Sequence, residues 1–391
     1  MHQPAPVPRP RVLHLTQPVD GGVARVVAEL TRAQLATGCA VTVACPEGAL
    51  TAEVRALGAG ARSWRASRAP GPSLLQEVRD VARMIEVVRP DVVHAHSAKA
   101  GLAGRLAVRG RIPTVFQPHA WSFEAVGGAT AELALRWERF AARWAARTVC
   151  VSRAERETGV AAGIAARWTV VPNGVDTERF RPAAPRAVRA SLLPGVAPDA
   201  PLVVCVGRLC RQKGQDVLLA AWEAVLRRVP GARLVLVGDG PDRERLAAAG
   251  GGRVLFAGAV ADPVPWYRAA DLVVLPSRWE GMALAPLEAL ACGRPVVMSE
   301  VAGARESLPP ALAAHGLVPP DDPAALARAI TTLLLDPPLG EELGARGRTH
   351  VRSAHDVRHM TEAVAQVYGD VLGAGQAERV APPEYRESIH S

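Results

Sequence analysis

The sequence predicts an α/β protein made of two doubly wound parallel-sheet domains. Three observations carry that reading. Short, near-continuous apolar runs alternate with longer helical patterns, as strands buried on both faces of a parallel sheet do. The alternation pauses at residues 181–201, a stretch with five prolines, and then starts again. The 391 residues also exceed what one hydrophobic core organises, at roughly 150 residues per domain.

In the first half, strands are expected at Arg11–Thr16, Ala40–Cys45, Asp91–Ala95, Pro113–Gln117, Thr148–Ser152 and Thr169–Val171. Helical patterns fill Val23–Thr37, Leu74–Val88 and Glu132–Ala146 between them. In the second half, strands are expected at Leu202–Gly207, Arg233–Val237, Arg253–Phe256, Leu272–Leu275 and Pro295–Met298, with helices at Asp216–Arg228 and Leu287–Ala291. Such alternation implies right-handed crossovers. The expected organisation is an N-terminal domain over residues 1–181, a linker over 182–200 and a C-terminal domain over 201–358. Residues 359–391 would form a helix returning to the N-terminal domain and then a disordered tail, with periodicity lost from about Gly373. Two such domains on a linker make a cleft, and open parallel sheets bind ligands beyond their strand carboxyl ends.

Composition narrows the class. At 49% hydrophobic and 21% charged residues, the chain is not disordered. No apolar run approaches the roughly 18 residues of a membrane span. Met1 to Pro10 holds four prolines and no apolar core, which argues against a secretory signal. The six cysteines form no C-x-x-C pair, so a disulfide scaffold or zinc ribbon is disfavoured and a reducing cytoplasm fits. Of 46 Lys and Arg residues, only Lys99 and Lys213 are lysine. Residues 1–195 hold 26 of these cations against 15 acids, a balance of +11, and the remainder carries −3. The basic half suggests an anionic partner or simply a solvated arginine surface.

Several loops carry candidate chemistry. Asp20-Gly21-Gly22 lies between the first strand and its helix, where backbone amides can approach an anion and where Asp20 would otherwise serve as a cap. Gly207-Arg208-Leu209-Cys210-Arg211-Gln212-Lys213-Gly214 follows a strand and precedes a helix. Arg208 and Lys213 could both reach a diphosphate, one as a planar fork and the other as a compact charge. Glu280 and Glu288 are separated by seven intervening residues, in the loop after Leu272–Leu275 and in the first turns of the next helix. Amides around Gly281, Met282, Ala283 and Leu284 could hold sugar hydroxyls or phosphate. Gly238-Asp239-Gly240 starts like a dinucleotide fingerprint, but Arg243 occupies the third glycine position. The sequence has no P-loop motif. Dedicated metal ligands are not apparent, since no D-x-D stands at a strand end and Asp321-Asp322 lies far along the chain. Lys99 could reach an acceptor phosphate or simply face solvent.

These residues resemble the donor signature of glycosyltransferase family four, the retaining transferases of GT-B fold. PDVVHAHSAKAG (90–101), VFQPHAW (115–121), CVSRAERE (150–157), VVPNGVDTERFRP (170–182), LVLVGDGP (234–241) and ACGRPVV (291–297) agree in order and spacing, over residues 11–365. The HSAKAG and QPHAW stretches most resemble the exopolysaccharide and capsule branch.

The resemblance implies roles. Arg208 and Lys213 would hold the donor diphosphate and neutralise the departing nucleotide. Glu288 would bind the ribose, Glu280 the transferred sugar, and Gly281 to Leu284 would line it. Val260, beside Gly258, would lie near the base. Gly21 and Gly22 would approach the diphosphate, and His119 would contact sugar and phosphate near the reacting carbon. Ala283 and Ala120 depart from residues common in relatives. The implied reaction moves a hexosyl unit from a UDP- or GDP-sugar to a hydroxyl of a sugar, glycolipid or small molecule, with retention and no cofactor. A soluble natural-product or thiol-precursor transferase is one alternative, and a nucleotide-sugar 2-epimerase is another. Nucleic-acid binding is disfavoured, because aromatics make up 4% of the chain. The implied location is cytoplasmic, peripheral on the inner face of the cell membrane. The stretch Glu132–Ala146 supports that, because Leu133, Trp137, Phe140 and Trp144 form one apolar stripe flanked by arginines. Packing of that stripe into the first domain's core is the competing expectation.

Overall fold

The computed structural model describes residues 10–67, 71–251 and 254–380. The chain divides into two compact units. The first takes the described residues up to Val151, Arg156–Val171 and those from Thr361. The second takes Ser152–Glu155 and Pro172–Met360.

The first unit holds seven strands: β1 (Arg11–Thr16), β2 (Ala40–Cys45), β3 (Gly60–Ser63), β4 (Val92–His96), β5 (Thr114–Gln117), β6 (Arg147–Cys150) and β7 (Trp168–Val170). They pair in parallel in the order β3-β2-β1-β4-β5-β6-β7. The chain winds outward from β1 in one direction and then crosses to β4 and winds in the other. The switch point therefore lies between β1 and β4, where loops diverge and leave room for a ligand. Apolar residues fill both faces of the sheet. Leu13, Leu15, Val93, Phe116 and Trp121 pack on one side, and Val27, Val41, Val43 and Leu50 on the other.

The second unit repeats the plan with β8 (Leu202–Val206), β9 (Arg233–Val237), β10 (Val254–Gly258), β11 (Leu272–Leu275), β12 (Val296–Ser299) and β13 (Leu317–Val318). Their order is β10-β9-β8-β11-β12-β13, again parallel. Its switch point lies between β8 and β11.

Three expectations about organisation change. The stretch expected as a linker over 182–200 belongs to the second unit and contains a helix, Pro185–Leu192. Pro185 sits in its first turn, where a proline's missing N–H costs nothing. Arg189 in that helix is buried and donates to the carbonyls of Ala269 and Ala200 and to Asp271. The second unit accordingly begins at Pro172 rather than 201. The last helix spans Val357–Val380, past Gly373, because Ala, Gln, Glu and Arg keep helical propensity high around two glycines. Its residues from Thr361 join the first unit. The tail expected beyond it, residues 381–391, and most of the Met1–Pro10 segment lie outside the described residues. No helix among the described residues is long and apolar enough to cross a membrane.

Candidate functional site

The second unit gathers most of the expected residues at its switch point. The loop after β8 carries Arg208 and Lys213, and the loop after β11 carries Glu280. Two glycines let these loops press together. Gly214 has φ +64, and a Cβ there would collide with the carbonyl oxygen of Pro276. Gly303 has φ +73, and a Cβ would collide with the carbonyl oxygen of Gly281. Arg278 then stitches the loops. Its guanidinium donates to both oxygens of Asp216 at 2.9 and 2.8 Å, to Asp321 at 2.7 Å and to the Arg211 carbonyl. Each partner strengthens the other's charge: bonding to Arg278 holds the Asp216 carboxyl below its ordinary range, and bonding to Asp216 raises Arg278.

Within this frame Lys213 Nζ meets Glu280 Oε1 at 2.5 Å. Glu280 is 8% exposed and Glu288 is 2% exposed. The Tyr267 hydroxyl donates to Glu288 Oε2 at 2.7 Å, which orients that buried carboxylate. Arg208 is half-buried, and its guanidinium makes no ion pair among the described residues. Its carbonyl is fixed by Gln215 Nε2 at 3.0 Å. Burial pushes the Cys205 thiol beneath this loop up to about 12, with the Lys213 cation opposing, so that cysteine stays protonated and unreactive.

The turn Gly281-Met282-Ala283 leads into the helix Leu284–Ala291. The first amides of such a helix have no acceptor within it. Two side chains hold the turn from behind. Ser152 Oγ donates to the Gly281 carbonyl at 3.0 Å, and Asn173 Nδ2 donates to the Met282 carbonyl at 2.7 Å. Both carbonyls are thereby held by side chains of the same unit. Val260 is half-buried just beyond β10. Asp322 caps the helix Pro323–Leu335, and Asp321 serves Arg278.

The first unit places the remaining expected residues around its own switch point. Gly21 (φ +71) and Gly22 open the helix Gly21–Ala36, exposed, after β1. Asp20, expected as a cap, makes no side-chain cap bond. His119 follows β5 with φ +58, and Ala120 has φ +118. Burial pushes His119 down to about 3, so it is neutral at neutral pH. Lys99 points away from any ligand role. It is buried, and its Nζ lies 2.6 Å from the buried Glu77 carboxylate. Burial alone would raise Glu77, but bonds from Lys99, Ser73 and Ser67 outweigh it and hold the carboxyl low.

Sequence reasoning missed Tyr267, Arg278, Ser152 and Asn173. Ser152 and Asn173 lie inside motifs quoted above, so a signal existed, but their partners lie more than 100 residues away. Tyr267 carried no local signal.

Comparisons with known proteins place the chain in a family. Residues 20–179 match the family model described as Glycosyltransferase Family 4, and residues 200–336 match the one described as Glycosyl transferases group 1. The lipopolysaccharide core biosynthesis mannosyltransferase LpsB of Rhizobium meliloti is 34% identical over 52% of this chain and 61% of its own. The alpha-maltose-1-phosphate synthase of Mycolicibacterium smegmatis is 32% identical over 72% of this chain and 79% of its own. The chain thus spans between 60% and 64% of the length of the first curated relatives it matches, and more of the synthase. Anabaena Alr3699/HepE in complex with UDP-glucose covers 93% of this chain and 100% of its own, with a TM-score of 0.80 and 23% identity, and that likeness shows the fold. The paired doubly wound units, the ordered motifs and these matches together show that the chain belongs to glycosyltransferase family four, with the GT-B fold.

Proposed function

We propose that the protein is a retaining hexosyltransferase that moves a hexosyl unit from a UDP- or GDP-sugar to a hydroxyl acceptor in surface polysaccharide or glycolipid biosynthesis. One observation carries the reading: Arg208, which makes no ion pair among the described residues, Lys213 and the buried carboxylates Glu280 and Glu288 share one switch point. Arg208 and Lys213 take the donor diphosphate, and their fixed charge stabilises the leaving nucleotide. Glu288, oriented by Tyr267, accepts from the ribose diol. Glu280 takes the transferred sugar, with the amides of Gly281, Met282, Ala283 and Leu284, and Val260 lies toward the base. In the first unit, Gly21 and Gly22 offer amides suited to an anion, and His119 offers a ring suited to a sugar hydroxyl. In this reading the protein's own cations, not a metal, balance the leaving group. The relatives lend support: LpsB is named for lipopolysaccharide core biosynthesis, and HepE is described with UDP-glucose.

Calorimetry with a panel of UDP- and GDP-sugars tests the donor site. Arg208→Ala and Glu288→Ala should each weaken the preferred donor about 10-fold or more, about 1.4 kcal/mol. Unchanged affinity in both variants would remove the assignment.

The proposal includes an acceptor presented at a membrane, with the protein peripheral on the cytoplasmic face. Support comes from the helix Gly128–Ala141. Leu133 is 69% exposed and Phe140 43% exposed, and Arg136, Arg139 and Arg143 are exposed beside them.

A further inference from the structure

Four histidines meet inside the first unit, and three of them have no role above. His14 on β1 stands directly opposite His94 on β4. His96 ends β4, and His119 follows β5. His14, His94 and His96 are fully buried. Burial pushes His14 down to about 4 and drives His94 and His96 well below the ordinary value, helped by the neighbouring rings. All four rings are therefore neutral at neutral pH. A neutral imidazole has one N–H and one bare nitrogen, so along a chain of neutral rings each bond dictates the next.

The chain starts at Gln34. Its Oε1 lies 2.8 Å from His14 Nε2 and can only accept, so His14 carries its proton there and its Nδ1 is bare. His96 Nε2, 2.9 Å from that bare nitrogen, must donate. His96 Nδ1 is then bare, and His119 Nε2 donates to it at 3.1 Å. The second nitrogen of His119, Nδ1, makes no hydrogen bond among the described residues and keeps its lone pair.

The direction depends on which way the Gln34 amide points, and two neighbours fix it. The Tyr368 hydroxyl lies 2.7 Å from His94 Nδ1, the separation of an O–H donor, and 3.4 Å from Gln34 Nε2, from which it accepts. His94 then holds its proton on Nε2. That nitrogen and Gln117 Oε1 are both buried without a hydrogen-bond partner among the described residues, and Gln117 raises the proton affinity of His94. A proton on His94 Nε2 suits an acceptor nearby better than a second lone pair would. With the Gln117 amide oriented as it is, the reversed chain would leave a bare His94 Nε2 beside a further acceptor, a poorer arrangement away from water. Ligand nitrogens of His14, His94 and His96 also lie within 4.8 Å of one another, as a metal site would require. But all four nitrogens of His14 and His96 are already spent in the hydrogen-bonded chain, so the geometry favours a relay of fixed tautomers.

We propose that Gln34 is a positioning residue which, through His14 and His96, locks His119 in its Nε2–H tautomer and presents a bare Nδ1 that accepts a hydrogen bond from a sugar hydroxyl. A bare nitrogen repels a phosphate oxygen, so the relay narrows the contact of His119 to the sugar. Only the choice of ligand rests on the function proposed above; the tautomer does not.

Nitrogen-15 spectra of the histidine-labelled full chain at neutral pH read the tautomer directly. His119 should show a protonated Nε2 and a pyridine-like Nδ1. A protonated Nδ1, or an averaged mixture, in the unsubstituted protein would overturn the proposal without any variant being needed. Gln34→Leu removes the acceptor and should shift His119 toward Nδ1–H while lowering kcat more than it raises the donor KM. Gln34→Glu keeps the acceptor and should restore the wild-type pattern. An equal shift of His119 in Gln34→Glu would mean general loss of packing and would also overturn the proposal. Failure of the protein to bind any nucleotide sugar would refute the transferase reading and leave the tautomer result standing.

Discussion

The two lysines of this chain show what a residue's surroundings decide. Lys99 is locked in a buried pair with Glu77, while Lys213, 25% exposed, pairs with Glu280 at the second unit's switch point. Both stood out equally in the sequence against an arginine-rich background. Only the fold distinguishes them, because Glu77 lies 22 positions from Lys99 and reaches it through a neighbouring helix. Arg208, Lys213, Glu280 and Glu288 were legible because local motifs carry them. Tyr267 and Gln34 were not, since each acts on a residue that only packing brings near. The Lys213–Glu280 pair also yields a test. In the proposed donor site an incoming diphosphate would compete with Glu280 for Lys213, so Glu280→Gln would free the cation for phosphate while removing the proposed contact to the sugar. UDP or GDP affinity should stay within about threefold of wild type or tighten, while turnover falls about 100-fold or more. Equal losses of nucleotide affinity and turnover would show that Glu280 shapes the loop rather than serving the sugar.

Elements were legible where burial on both faces makes a strand uniformly apolar. Arg11–Thr16, Ala40–Cys45, Arg233–Val237 and Leu272–Leu275 are observed as expected. The edge strands β3 and β13 were missed for the converse reason. β3 is a polar Gly-Ala-Arg-Ser segment and β13 has two residues, so neither carries an apolar run. The supposed linker misled because prolines punctuate loops and open helices alike. The turn after β5 is a third case. Ala120, flagged in the sequence as a departure from a common glycine, holds φ +118, a region that L side chains rarely adopt. Strain there is of order 1–3 kcal/mol, partly offset in a replacement by the extra chain entropy of glycine. Ala120→Gly should therefore stabilise the first unit by about 1 kcal/mol, read as a higher urea midpoint with an unchanged slope. A lower midpoint would mean that the Ala120 methyl group contributes more through packing than it costs in the backbone.

At the scale of the whole molecule, charge and exposed apolar surface coincide. The first 195 residues carry the +11 balance, and the helix Gly128–Ala141 lies within them. The competing expectation had its aromatic stripe packed into the core. That expectation holds for half of the stripe: Trp137 and Trp144 are half-buried, Trp137 lies 5.6 Å from the buried Arg105, and Glu138 and Ala141 turn inward, with Glu138 meeting Arg105 at 2.8 Å. Leu133 and Phe140 stay outside, with Val126 of the preceding loop 42% exposed nearby in sequence. Trp137, Phe140 and Trp144 cluster on one another, and Arg143 lies 3.9 Å over the Phe140 ring. An apolar ridge fringed by arginines suits the boundary between headgroups and acyl chains, where each basic residue adds about 1 kcal/mol of attraction to an anionic surface. The protein should therefore sediment with anionic liposomes at low salt, remain in solution with neutral ones and be released as salt shortens the screening length. Leu133→Ser combined with Phe140→Ser removes the apolar anchor without touching the Arg105–Glu138 pair. It should weaken liposome binding while leaving donor affinity unchanged, which confirms that the variant is folded. Equal recovery in the supernatant with anionic and neutral liposomes would refute membrane docking, and the acceptor to pursue would then be a soluble sugar or small molecule.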